Sequence, residues 1–292
     1  MHNNTQNTSQ NTSPTDRPTL VIGATGKTGR RVADRLRAAG VPVTAASRSS
    51  EVRFDWEDSS SWAPALDGVP AAYVTYFPDL AIPGADEAVG EFIETALANR
   101  VRRLVLLSGR GEEGARRAEI RLQQSDADWT VVRCGFFSQN FSETFPEPIR
   151  HGILPLPTGD AIDPFLDADD IADVVTAALL DDRHIGELYE LTGPRLLTVT
   201  EVAATLSEAI GRDVTFVSMS KEAYAADISE QGFPGEVAEH IADVIALALD
   251  GRNAHTTKDV ERVLGRPARD FADYARAAAA TGAWDVPVPS NV

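Results

Sequence analysis

Three glycines, at positions 23, 26 and 29, punctuate the run Thr19-Leu-Val-Ile-Gly-Ala-Thr-Gly-Lys-Thr-Gly29. Four apolar or β-branched residues precede them, and an amphipathic segment from Arg30 to Ala39 follows at once. The order predicts strand, tight turn and helix. A turn stripped of side chains lets backbone N–H groups close on a pyrophosphate, and the helix N-terminus adds the positive end of its dipole. The ligand class this implies is a dinucleotide, with Gly23, Thr25, Gly26, Lys27, Thr28 and Gly29 as its first contacts. Gly26-Lys27-Thr28 imitates the end of a P-loop. That loop needs a second glycine with four residues between it and Gly26, and the position holds Val21, inside the strand. A nucleoside-triphosphate site is excluded.

The end of the next strand selects among dinucleotides. Residues 41–46 read as that strand, and Ser47-Arg48-Ser49-Ser50 ends it. An NAD site places an acid here for the ribose 2′-hydroxyl, yet none occurs before Glu51. A guanidinium between hydroxyls suits a 2′-phosphate, so Ser47, Arg48 and Ser49 point to NADP(H). The plainer reading of Arg48 is a solvated arginine at a strand end. Asp55 and Trp56, after a short third strand at 52–54, would flank the adenine, against ordinary packing for the tryptophan.

The elements that position these residues alternate. Strands are expected at 71–76, 102–107 and 129–132, with helices at 85–99 and 112–125 between them. Apolar strands joined by helices argue for an α/β fold, a Rossmann-type doubly wound parallel sheet covered on both faces. Prolines 146, 148, 155, 157 and 164 then break the chain into short pieces, and from Lys221 it reads as mostly helical. The expected organisation is an unstructured Asn/Thr/Gln/Ser tail at 1–17, an NADP(H)-binding domain at 18–140, and a smaller α/β, mostly helical substrate lobe at 141–292. That lobe is expected to build on the C-terminal part of the sheet.

With 27 basic and 44 acidic residues in 292, the net charge is −17. Such a surface repels nucleic acid and anionic membranes, and neither is expected as a partner. No apolar run reaches membrane-spanning length. Cys134 is the only cysteine, which excludes an intramolecular disulfide and fits a cytoplasmic protein. The five histidines are scattered, and no metal site is expected. A monomer or homodimer acting on a small molecule is expected.

On GATGKTG at 23–29, VRFDWED at 52–58, LLSGRG at 106–111, RCGFFSQNF at 133–141, FLDADDIADVV at 165–175, YELTGP at 189–194 and DGRNAH at 250–255, the chain resembles the NmrA-like, atypical short-chain dehydrogenase/reductase family. It looks most like a branch similar to the ergot-alkaloid reductases of the festuclavine dehydrogenase type. The resemblance runs from Thr19 to Trp284. It implies a Rossmann fold, NADP(H), and hydride transfer to an imine- or iminium-like carbon.

One departure bears on the chemistry. Short-chain dehydrogenases carry Tyr-x-x-x-Lys in the helix after the fifth strand, but residues 112–121 hold neither tyrosine nor lysine. Arg116 or Arg117 stands where a basic residue would, able to hold charge but not to give up a proton. Ser108 matches the family serine at the strand end, against the plainer reading of a turn serine. Reduction of a ketone needs a proton donor; reduction of an iminium leaves a neutral amine and does not. The missing acid therefore favours an already polarised acceptor, such as an iminium, quinone or conjugated enone, and equally a protein that binds NADP(H) without catalysis as a redox-sensing regulator. Substitute donors are Tyr73, Tyr76, Tyr189, Tyr224 and His151. The nicotinamide is expected over the ends of the fourth to sixth strands, near Thr75, Tyr76, Phe77, Pro78, Ser108, Gly109 and Arg110. Phe136, Phe137 and Phe141 would wall a flat substrate, with Gln139 and Asn140 as polar contacts. Asp250-Gly-Arg-Asn253 reads as a turn.

Overall fold

Leu20 and Ile22 face one way along the first strand and Val21 the other, and all three are buried. A strand apolar on both faces needs cover on both. In the computed structural model, which describes residues 17–286, it receives that cover. The expected tail lies outside the described residues except for Arg17.

The sheet begins with β1 (Thr19–Ile22), β2 (Val43–Ser47), β3 (Val52–Arg53), β4 (Ala71–Val74), β5 (Arg103–Gly109) and β6 (Asp128–Cys134). Two short strands, β7 (Ile153–Leu156) and β8 (Ile162–Asp163), leave it before β9 (Glu187–Leu191) returns to its edge. The order is β3-β2-β1-β4-β5-β6-β9, with every neighbouring pair parallel. Strand order reverses between β1 and β4, which opens a crevice at the C-terminal strand ends.

Helices α1 (Lys27–Ala38), α2 (Trp62–Leu66), α3 (Ala85–Ala98) and α4 (Glu113–Gln123) follow strands of this first half. The next three are α5 (Asn140–Glu143), α6 (Pro146–Arg150) and α7 (Ala168–Leu180). On one face Trp62, Phe92 and Leu122 pack from α2, α3 and α4 onto Leu20, Leu104 and Leu106. On the other, Leu36 of α1 and Val174 of α7 pack onto Val21, Tyr73 and Val105. Alternate residues of one strand thus enter different cores.

A third core lies outside the sheet. It joins Phe136, Phe141 and Phe165 to α8 (Val199–Ile210), α9 (Lys221–Glu230), α10 (Gly235–Ala248) and α12 (Phe271–Ala280). Two small sheets belong here: β8 with antiparallel β10 (Leu197–Thr198), and β7 with parallel β11 (Thr215–Ser218). Pro155, one of the prolines expected to break the chain into short pieces, lies inside β7. It is tolerated because β7 pairs on one side only. Residues after 140 serve both layers: α7, β9 and α11 (Asp259–Leu264) complete the main sheet, and the remainder builds the second lobe. No described helix is long and apolar enough to cross a membrane.

Candidate dinucleotide and substrate site

The turn after β1 works only with glycine. Gly23 has φ +66°, and a Cβ on Gly29 would lie 2.1 Å from the Gly23 carbonyl oxygen. Side chains there would lift α1 off the turn. At the start of α1, Gly26 supplies no side-chain cap and the first turn holds no acid. Its free N–H groups and empty cradle fit the pyrophosphate of a dinucleotide.

Contacts from α5 close over this turn. Lys27 Nζ donates to Thr144 Oγ1 at 2.5 Å, while Arg30 and Arg31 both reach Glu143. Burial pulls the Lys27 ammonium below its usual range. Thr25 is exposed, and Thr28 is turned inward, accepting from the Tyr73 hydroxyl at 3.0 Å. Thr75 Oγ1 donates to the Ile22 carbonyl, so the ends of β1 and β4 are stitched together.

At the end of β2, Ser47 Oγ is bonded to Ser50 Oγ at 2.6 Å and lies 3.5 Å from Ser49 Oγ. Arg48 is exposed, its guanidinium 4.6 Å from the centre of the Phe77 ring. The adenine-side candidates are committed elsewhere. Trp56 Nε1 donates to the Thr75 carbonyl at 2.9 Å, and its ring packs on Phe54, Trp62, Tyr76 and Phe92. The Asp55 carboxylate accepts from the Glu57 amide and pairs with Arg53.

A cavity of about 700 Å³ occupies the C-terminal ends of the strands. Lys27 and Thr28 border it from α1; Thr75, Tyr76 and Phe77 from beyond β4; Ser108 and Gly109 from β5; Cys134 from β6 and Gly135 just after it. Phe136, Phe137, Asn140 and Phe145 form a wall. Phe233, Val237, His240, Ile241, Val244, Ile245 and Ala248 cover it from the second lobe. Burial pushes the Cys134 thiol well above its usual range, which leaves it inert as a nucleophile.

Several expected positions lie elsewhere. Phe141 is fully buried among Phe136, Phe165 and Phe271, with centroid distances of 5.4–5.7 Å, and is core rather than cavity wall. Gln139 is also turned inward: Nε2 donates to Asp167 Oδ1 at 2.8 Å, and Oε1 accepts from the Ala168 amide at 2.7 Å. It secures the start of α7. Arg116 stands exposed on α4, away from the cavity. Ser108 borders the cavity, but its hydroxyl donates to buried Glu119 at 2.5 Å, which in turn holds Arg133. Among the substitute donors only Tyr76 reaches the cavity. Partial burial, with Glu57 nearby, holds its hydroxyl above the usual tyrosine range.

Two residues, and the role of a third expected near the nicotinamide, escaped the sequence reading. Arg110 is buried and latches the 250–255 loop, donating to Glu190 and to the carbonyls of Asn253 and His255. Asp163 is 2% exposed, and burial pushes its carboxyl up to about 7. Glu112 borders the cavity with its carboxyl pushed up to about 7, first by burial and then by Asp79, against a smaller pull from Arg252. It had been read as the first residue of a helix. It is instead the N-cap of α4, and its side chain makes no cap. A glutamate where Ser, Thr, Asp or Asn is usual was the available signal.

The NmrA-like family profile matches residues 118–276, more than half of the chain, and an NAD(P)H-binding profile matches residues 23–182. An NAD(P)H azoreductase of Xenophilus azovorans is 32% identical over 90% of this chain and 99% of its own. A festuclavine dehydrogenase of Aspergillus fumigatus is 30% identical over 88% and 96% respectively. In fold, the chain is similar to the Citrobacter sp. triphenylmethane reductase solved with NADP(H), at TM-score 0.76 and 20% identity, covering 89% of this chain and 99% of that one. The chain therefore belongs to the NmrA-like family, among its NAD(P)H-dependent oxidoreductases.

Proposed function

We propose that this protein is an NADPH-dependent reductase of small, apolar or aromatic electrophiles: an iminium or imine, a quinone or a conjugated enone. The observation that carries the reading is the mainly apolar cavity at the strand ends, which reaches Lys27 and Thr28 between the glycines of the first turn. NADPH, when bound, supplies a hydride. Gly23, Gly26 and Gly29 would receive its pyrophosphate, and exposed Arg48 its 2′-phosphate. Phe136, Phe137 and Phe145 orient a flat acceptor and, with Ile241 and Ile245, keep water away from it. Excluding water and fixing orientation account for most of what the protein must add to such a transfer.

Ser108, bound to Glu119, is not free to serve as the hydroxyl donor of a typical short-chain dehydrogenase. That favours acceptors already polarised before hydride arrives. The relatives named as an azoreductase and a festuclavine dehydrogenase fit this class of chemistry. A single, buried cysteine agrees with a cytoplasmic setting.

The test is NADPH consumption against cyclic iminium salts, naphthoquinones and conjugated enones. Turnover of at least one class is expected. Tight NADPH binding without turnover of any would transfer the assignment to a cofactor-sensing regulator.

A further inference from the structure

We infer that Glu112 is the proton-donating residue of this cavity, serving acceptors that become anionic on taking up hydride. The inference rests on the reductase reading above. Its first support is position. Glu112 borders the cavity beside Ser108 and Gly109, at the end of β5. A methyl group on Gly109 would lie 1.7 Å from Glu112 Oε2, so the carboxyl lies directly over that glycine. Glycine at 109 is what admits it there.

Its second support is freedom. Glu112 is the N-cap of α4, yet its carboxyl ignores the open N–H groups of the helix. No hydrogen bond from a described residue contributes to its titration. Three other polar groups nearby are committed. Ser108 donates to Glu119, Asp79 Oδ1 accepts from the Ala81 amide, and Asn253 Nδ2 donates to the Arg110 carbonyl. Tyr76 holds its proton more tightly than a free tyrosine. His240 reaches the cavity from α10 on its solvent-exposed side.

The charges facing Glu112 are Asp79, from the loop after β4, and Arg252, from the 250–255 loop, itself paired with Asp250. Burial and Asp79 together outweigh Arg252, and the carboxyl keeps its proton up to about pH 7. A carboxylic acid held neutral near working pH is suited to general-acid chemistry.

For an enone the step balances simply. Hydride adds to the β-carbon, and the acceptor gains two electrons as NADPH becomes NADP⁺. The enolate then takes the proton from Glu112 Oε2, breaking that O–H bond and leaving a carboxylate, which water reprotonates. An iminium needs no proton, because hydride alone gives the neutral amine.

The experiment compares wild type, Glu112→Gln and Gly109→Ala on a cyclic enone and a cyclic iminium salt across pH 5–9. A second readout follows ¹³C-carboxyl-labelled glutamate by NMR in the cofactor-free protein. For Glu112→Gln, kcat on the enone is expected to fall by about 10²-fold and lose its decline above pH 7, with a much smaller fall on the iminium. A carboxyl titrating near pH 7 should be present in wild type and missing from Glu112→Gln. Gly109→Ala should displace the carboxyl and return that titration toward the ordinary glutamate range. Unchanged enone turnover and pH profile in Glu112→Gln, or no such carboxyl in wild type, would overturn the assignment while leaving the reductase reading intact. Failure of wild type on both acceptors, and on a naphthoquinone run beside them, would overturn both.

Discussion

The Arg48 guanidinium lies 4.6 Å from the centre of the Phe77 ring, so the end of β2 meets the rim of the cavity. Both side chains are exposed, and Phe77 is 59% so. A cation over an exposed ring is held weakly, by about 0.5–1 kcal/mol. A phosphate can therefore draw the guanidinium away at small cost. On the proposed assignment, the contact parks the 2′-phosphate group's partner beside the site.

Removal of Arg48 should separate the two cofactors. Arg48→Ala is expected to weaken NADPH binding by about 10- to 100-fold, the scale of a lost hydrogen bond to a charged group. NADH affinity should hardly change. Fluorescence titration of both cofactors checks it. Equal weakening, or equal wild-type affinities for the two, would remove the 2′-phosphate assignment.

Ser108→Ala should behave as a structural change. It deletes the donor to Glu119, which remains paired with Arg133. Stability should fall by about 1–3 kcal/mol. Because the hydroxyl faces Glu119, turnover by the folded protein should stay within a few-fold of wild type. Denaturation midpoints and kcat measure the two separately. A loss of activity near 10³-fold in a well-folded variant would restore Ser108 as a catalytic serine.

Asp163 makes stability depend on pH in a stated direction. Its carboxyl is raised from 3.8 to about 7 by burial. Below about pH 4 both folded and unfolded chains hold the proton. As pH rises, the unfolded chain releases it first, so the fold loses stability until about pH 7 and levels off beyond. Asp163→Asn removes that loss. The variant should gain on wild type by a few kcal/mol at pH 8, at about 1.4 kcal/mol per pKa unit, and by little at pH 4. Urea unfolding at both pH values tests this. A gap that shrinks as pH rises would contradict it.

Much of the sheet was legible because its signals are local. Gly23 and Gly29 meet within one turn, and Leu20, Val21 and Ile22 announce burial on both faces by themselves. Cavity residues at or just beyond strand ends, such as Gly109 and Thr75, follow from the switch-point rule once strand order is known. Gln139 and Phe141 were not legible as core. Their roles depend on Asp167, Phe165 and Phe271, and no spacing rule links Phe141 to Phe271. Trp56 looked like a ligand contact for a similar reason: its partners Trp62 and Phe92 meet it only in the folded chain. Glu112 was hidden by its place at a helix boundary. Its charge state is set first by burial in the folded chain, then by Asp79, which lies before α3, and by Arg252, from far along the chain.

Isotope transfer tests the central claim most directly. NADPH carrying deuterium at the transferring face of C4 should give a reduced acceptor one mass unit heavier, with the label on carbon. The account predicts this for the iminium or enone that wild type consumes fastest, where hydride forms a C–H bond that does not exchange, with the corresponding NADH turning over more slowly. Product without deuterium, or NADPH that stays unconsumed with every acceptor, would contradict it.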